Sequence, residues 1–268
     1  MGGTIMHRTS LLIAAACIAG STQLSYAADM PMKAPAYKAP AAIPFTWTGF
    51  YIGAHVGYGW SHTDKTNVNG NPPFPAGTES ASDQNGVLGG LQLGYNYQFA
   101  PNWLVGVEGE FSWADINGDS SEASVVPGFT TTRFTTSHSK TDWIATATGR
   151  LGYTMNDWLF YAKGGAAWAR KEVSSVTVNP AAGNLLLTNT TGDVTRFGWT
   201  AGGGIEWAFM KNWSAKAEYD YLDFGSKNED DSATYFNGAT GLAVLTRNVN
   251  WHIHEVKFGI NYHFGGIL

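Results

Sequence analysis

The chain has 268 residues, 14 % of them aromatic and only 14 % charged, where an average soluble domain carries about 25 % charged residues. With 44 % hydrophobic residues it is too apolar to stay disordered, and with 16 Lys and Arg against 21 Asp and Glu it offers no basic face for nucleic acid. No apolar run reaches the ~18 residues that a membrane-spanning helix needs.

In chain order, residues 1–28 read as a secretory signal. Arg8 supplies the positive charge, residues 11–20 the short apolar core, and Ser25-Tyr26-Ala27 a small-x-small site, with cleavage after Ala27 or Ala28. The single cysteine, Cys17, falls in this segment, so the exported chain is expected to hold no disulfide. Loss of Arg8 leaves 15 basic against 21 acidic residues, a net charge of −6. Residues 29–47 are rich in Pro and Ala, with Lys-Ala-Pro twice. Pro31, Pro35, Pro40 and Pro44 forbid a regular helix or central strand. The segment reads as an extended tether, a spacer that would reach toward the cell wall.

From Thr48 to Phe264 the dominant signal is period two, the mark of strands with unlike faces. Eight alternating stretches are found: 49–60, 86–99, 103–114, 142–153, 158–169, 196–209, 213–222 and 252–264. One face carries bulk, as in Phe50, Ile52, Val56, Tyr58 and Trp60, or Trp103, Val105, Val107, Phe111 and Trp113. The other carries mostly Gly, Asn, Gln and isolated charges. A soluble sandwich would cover its polar faces with Lys, Glu and Thr. A face of glycine and scattered polar groups suits the crowded inside of a narrow closed barrel, whose apolar outside then faces lipid and leaves no unpaired edge.

Tryptophan spacing agrees. Trp103, Trp158 and Trp213 recur every 55 residues, each just after a turn signal containing Asn. Trp103 and Trp113, and likewise Trp158 and Trp168, lie ten residues apart on one face. Ten residues rise ~33 Å along a strand; tilted by ~40° they span the ~25 Å apolar band of an outer-membrane barrel. Trp60, Trp103, Trp113, Trp158, Trp168 and Trp213 therefore read as two interfacial girdles. Connections alternate between tight turns (100–102, 154–157, 210–212) and long polar segments (61–85, 115–141, 170–195, 223–251). Short periplasmic turns and long external loops are expected of such barrels, with both termini in the periplasm. Strand-like pieces inside the long segments, at 173–178 and 185–190, point to hairpins that carry the strands past the membrane. The fold expected is all-β: an eight-stranded antiparallel up-and-down transmembrane β-barrel over 48–264, with a short tail at 265–268.

Trp47-Thr48-Gly49-Phe50-Tyr51-Ile52-Gly53, followed by Val56-Gly57-Tyr58-Gly59-Trp60, resembles the first strand of the alphaproteobacterial outer-membrane immunogenic, or surface-antigen, porin-like family. Tyr161-Ala162-Lys163-Gly164-Gly165-Ala166-Ala167-Trp168 and Val256-Lys257-Phe258-Gly259-Ile260-Asn261-Tyr262-His263-Phe264 resemble its fifth and last strands, although Gly265-Gly266-Ile267-Leu268 follow the terminal aromatic here. The resemblance implies an eight-stranded barrel, a structural and surface-antigen role in the envelope, and haemin binding in some members. It also implies assembly through the last strand by the barrel-assembly machinery.

Strand parity points Glu108, Glu110, Arg150, Lys163, Glu206, Lys216, Glu218, Asp220, Glu255 and Lys257 into the lumen. Counted from the short-turn rim, Glu108, Lys163 and Glu218 share one depth; Arg150, Glu206 and Lys216 share another. Opposed charges at similar depth are expected to pair and plug a lumen about one side chain wide, because an unpaired buried charge is prohibitively costly. His252 and His254 share a strand face on the lipid or rim side, and are the residue types that would ligate haemin or a metal. His55 points inward with no serine placed beside it, so the Ser-His-carboxylate set of an esterase is not expected. Glu229-Asp230-Asp231 read as a solvated loop tip. The sequence thus points to a monomeric structural barrel in contact with lipid and lipopolysaccharide, without catalytic residues or cofactor. The alternatives are a small porin for hydrophilic solutes and a haemin-binding surface receptor.

Overall fold

The computed structural model describes residues 45–71, 79–125, 132–179, 185–235 and 241–264; the expected signal segment, most of the tether and the C-terminal tail lie outside them. The described residues form eight strands: β1 (Gly49–Asn71), β2 (Glu79–Ala100), β3 (Trp103–Val125), β4 (Thr132–Met155), β5 (Trp158–Asn179), β6 (Leu185–Met210), β7 (Trp213–Tyr235) and β8 (Gly241–His263). Each pairs antiparallel with its sequence neighbours, and β1 pairs with β8 to close the barrel. Within the apolar band closure pairs every strand edge, which an open sheet in hydrocarbon could not do; beyond it, among the described residues, β2–β3 pairing ends at Asn85↔Asn117 and β6–β7 pairing at Trp199↔Asp223.

The strands run well past the alternating stretches read from the sequence. A strand of 23 residues, such as β1, stands roughly 58 Å tall at a tilt of ~40°, and the apolar band takes only ~25 Å of that. The segments expected to be long loops are therefore mostly strand; 72–78, 126–131, 180–184 and 236–240 lie outside the described residues. The pieces at 173–178 and 185–190 belong to β5 and β6, which pair as far as Asn179↔Leu185.

Tight turns close the other end. Asn102 donates its side-chain amide to the Thr154 carbonyl at 2.8 Å, and Asn212 donates to the His263 carbonyl at 2.7 Å. Each Asn thus ties its turn to the end of the neighbouring strand, which gives a reason for the Asn-Trp dipeptide to recur there. Asn156 takes a positive φ of 54°, which Asn tolerates better than most residues.

The apolar residues between the turns point outward. Phe50, Val56, Val87, Leu93, Val107, Phe197 and Phe258 are all more than half exposed. All six tryptophans read as girdles are also on this outer face, from 36 % exposed for Trp168 to 60 % for Trp113. They stack in rows along the two rims. Trp103 meets Tyr153, Trp158 meets Trp207 and Trp213 meets Tyr262 at the short-turn rim. Trp60, Trp113, Trp143, Trp168 and Trp199 line the other. In water this would be a large adhesive surface; in a bilayer it is solvated by acyl chains.

Candidate functional site

The interior is built in layers. At the short-turn mouth Trp47 is only 1 % exposed and clusters with Leu104, Leu159, Tyr161 and Ala208, with Phe45 packed against them. Its ring stands 4.7 Å from Phe45 and 5.6 Å from His263, edge to face. The segment 29–47 was expected to be a tether throughout; its last residues instead fold into the barrel mouth, because a tryptophan there can bury its whole ring.

Above this mouth lie the charges. Arg150 Nη2 stands 3.2 Å from Glu206 Oε2, and Nη1 donates to the Tyr51 hydroxyl at 2.7 Å. Tyr51 in turn donates to Glu108 Oε2 at 2.8 Å, and the Arg150 guanidinium lies 3.9 Å from the centre of the Tyr161 ring. Tyr161 donates to Glu218 at 2.6 Å. Glu206 also accepts from Asn261 at 2.7 Å and from Ser214 at 2.5 Å.

One step deeper, three ammonium groups interleave with carboxylates. Lys163 Nζ is 2.7 Å from both Glu110 and Glu218, Lys216 is 2.8 Å from Glu110, and Lys257 is 2.8 Å from Glu110 and 2.6 Å from Asp220. Glu255 stands 3.4 Å from Lys257. None of these paired side chains is more than 2 % exposed. Glu108, Glu110 and Glu218 bring carboxylate oxygens within 4.8 Å of one another, close enough for a metal ion. The three lysines already occupy the space and supply the charge that an ion would.

Over the charges lies a second apolar layer: Leu88, Ile116, Ile144, Ala167, Ala169, Leu222, Phe224, Trp251 and Ile253 among others. Trp251 stacks on Phe224 at 4.4 Å and donates its indole N–H to Ser61 at 2.8 Å. All these side chains point inward, on the face that the sequence suggested was polar. The charged layer is therefore bounded by apolar packing on both sides.

Two other findings differ from expectation. His55 does have a serine partner. Its Nε2 lies 2.8 Å from Ser112 Oγ and its Nδ1 2.7 Å from Gln92 Oε1. The third member is a neutral amide, and His55, Ser112 and Gln92 are 3 %, 3 % and 1 % exposed, so the pair meets neither lipid nor water. At Ser214, His263 and Glu206, hydroxyl and carboxylate both approach the same imidazole nitrogen, at 2.9 and 3.1 Å. A catalytic relay needs them on opposite nitrogens.

His252 and His254 lie at the outer rim with ring centres 5.7 Å apart. His254 stacks on Trp60 at 5.5 Å, and its Nδ1 is 2.6 Å from the Tyr219 hydroxyl. The side chains of Glu229, Asp230 and Asp231 lie outside the described residues.

Sequence comparison places these features in a family. The pattern of the outer membrane protein beta-barrel domain matches residues 32–264. The 31 kDa outer-membrane immunogenic protein of Brucella melitensis biotype 1 is 33 % identical over 253 residues, 89 % of this chain and 92 % of that one. The 25 kDa outer-membrane immunogenic protein of Brucella abortus biovar 1 is 26 % identical, covering 95 % and 98 % of the two chains. A 22 kDa outer membrane protein of Rhizobium leguminosarum bv. viciae is 27 % identical, covering 76 % and 77 %. Among solved structures, the outer membrane protease OmpT from Escherichia coli aligns with a TM-score of 0.49 at 8 % identity over 84 % of this chain and 99 % of that one, too remote a likeness to bear on function. Eight antiparallel strands closed into a ring, an apolar exterior banded by tryptophan, and relatives that are outer-membrane immunogenic proteins lead to one assignment: the chain belongs to the outer membrane protein beta-barrel family.

Proposed function

We propose that this protein is a structural, non-conducting barrel of the outer membrane that braces the envelope and presents its long hairpins as surface antigen. The observation that carries the reading is the layered lumen: paired charges held between the Trp47 layer at one mouth and the Trp251–Phe224 layer toward the other. A porin needs a continuous wet path. Here four bases and six carboxylates fill the middle of the interior with direct contacts, and apolar side chains close over them. Buried pairs of this kind add little net stability compared with an apolar core, so their value lies in filling the lumen and fixing which residues face it.

The short-turn end, with both termini, lies in the periplasm, and the paired strands beyond the outer girdle stand outside the cell. The pattern of short turns at one end and long hairpins at the other supports that orientation. The outer rim meets lipopolysaccharide, β8 supplies the strand read by the assembly machinery, and the tether spans toward the cell wall. The protein acts as a monomer without catalytic role or cofactor.

Planar-bilayer recordings of the refolded chain test the proposal. The plugged reading expects a baseline without steady openings across a wide voltage range. Steady unitary conductance from the unaltered protein would replace it with the porin reading.

A further inference from the structure

On the outward face, just beyond Trp60, the register sets a row of ligand-type residues across four adjacent strands. Asp83 of β2 stands opposite His62 of β1, His62 opposite His252 of β8, and His252 opposite Asp223 of β7. His62 Nδ1 is 2.5 Å from Asp83 Oδ1, and its Nε2 is 3.0 Å from Asp64 Oδ1, two residues further along β1. The rings of His62 and His252 have centres 5.6 Å apart. These groups are accessible: the His62, Asp64 and Asp83 side chains are 40 %, 51 % and 81 % exposed.

We propose that His62, His252 and Asp64 form a surface site for a divalent transition-metal ion of the zinc class, with Asp83 orienting His62. Two of the three donors are already set, and a turn of the His252 ring must bring its nitrogen in from beyond 4.8 Å to join them. An ion bonded at ~2.0–2.2 Å to nitrogen and oxygen holds two tetrahedral donors about 3.3 Å apart, and puts the centres of two imidazoles about 5–5.5 Å apart. The Nε2–Oδ1 separation of 3.0 Å is already near the first value, and the ring centres, 5.6 Å apart, are close enough that rotation of His252 rather than backbone movement would complete the set. Asp83 on Nδ1 is the carboxylate–histidine–metal arrangement that fixes the tautomer and strengthens the ligating nitrogen. On binding, the ion takes the place of the Nε2 proton, which leaves to solvent. Three protein donors leave a fourth position for water. The wall of Trp60, Tyr219, Tyr221 and His254 packs beside the site, where a lower local dielectric strengthens ion–carboxylate attraction. The inward charge cluster, by contrast, carries its own counter-ions and is out of reach of the solution.

Zinc chloride titrated calorimetrically into the untagged chain, refolded in detergent, tests the site. About one equivalent should bind. His62→Ala and His252→Gln should each weaken binding at least tenfold. Asp83→Asn should weaken it by roughly 10–100-fold, as loss of an orienting partner does. His138→Ala, which alters the separate Asp119 pair at 2.7 Å, should leave it unchanged. Far-UV circular dichroism verifies the fold of each variant. No zinc heat above the detergent blank, or equal binding by the original chain and both histidine variants, overturns the assignment.

Discussion

Tyr51 and Tyr161 each stand opposite a glycine, Gly94 and Gly204, and each donates a hydrogen bond to a glutamate, Glu108 and Glu218. The members of the two sets are offset by the same 110 residues, twice the tryptophan repeat. Each tyrosine ring lies over the bare glycine of the next strand, and a Cβ on Gly94 or Gly204 would come within 2.7 Å of the phenol oxygen and within 2.6 Å of the Val107 or Ala217 backbone carbonyl. Gly94→Ala should therefore cost about 1–3 kcal/mol, the usual penalty for overpacking, read from urea unfolding of the refolded barrel; an unchanged midpoint would show that the ring and the β3 backbone at Val107 both yield. Lys163 bonds to Glu110 and Glu218 at once. Its replacement by Met leaves surplus buried carboxylates and should cost about 3–5 kcal/mol, a loss visible in the same assay. Which residues face the lumen was legible from parity alone. Their partners were not. Lys216 bonds to Glu110 on the far wall, and the depth count paired it only with neighbours at its own level. The stagger between distant strands is set by closure, which no local pattern encodes. The serine beside His55 escaped notice for a different reason: β1 and β3 are not adjacent in the sheet, but Gly90 of β2 pairs with both His55 and Ser112, and over its bare backbone the two side chains meet.

At the scale of elements, the turn and strand signals were readable because they are local. An Asn just before a Trp, directly at 102–103 and 212–213 and one residue removed at 156–158, marked the short turns, and alternating bulk marked the strands within the apolar band. Beyond the outer girdle the alternation fades, since outward residues such as His62, Asp64 and Asp115 turn polar while inward ones such as Thr63 and Thr141 are polar yet buried. Strand pairing continues nonetheless between some neighbours, as in the β3–β4 register from Ile116↔Thr141 to Val125↔Thr132, while the described β6–β7 ladder ends at Trp199↔Asp223. The Phe45–Trp47 segment was misjudged because the proline-rich composition before it gives no hint that a single tryptophan docks back. Trp47→Ala should open the short-turn mouth. The cost expected for so large a buried ring is about 3–5 kcal/mol, and water should reach His263, whose ring now packs against Phe45 and Trp47. Faster hydrogen exchange at the β8 end would report the opening, and unaltered stability would show that the segment only rests on the barrel.

As a whole, the molecule inverts the usual globular arrangement. Charge and hydrogen bonds fill the centre, and the aromatic and aliphatic bulk faces outward. That arrangement is stable only if the exterior sits in hydrocarbon, where burial of apolar area replaces the core that a water-soluble protein would have. The proposed plug, the proposed surface role of the hairpins and the proposed rim site beside Trp60 all presuppose that placement. The most direct measurement is tryptophan fluorescence of the refolded chain in vesicles whose acyl chains carry bromine at defined depths. The account predicts strong quenching by bromine placed near the interface, where the two girdles lie, and weaker quenching at the bilayer centre. Emission indifferent to bromine at every depth would contradict it, since the tryptophan-bearing face would then be covered by protein or water.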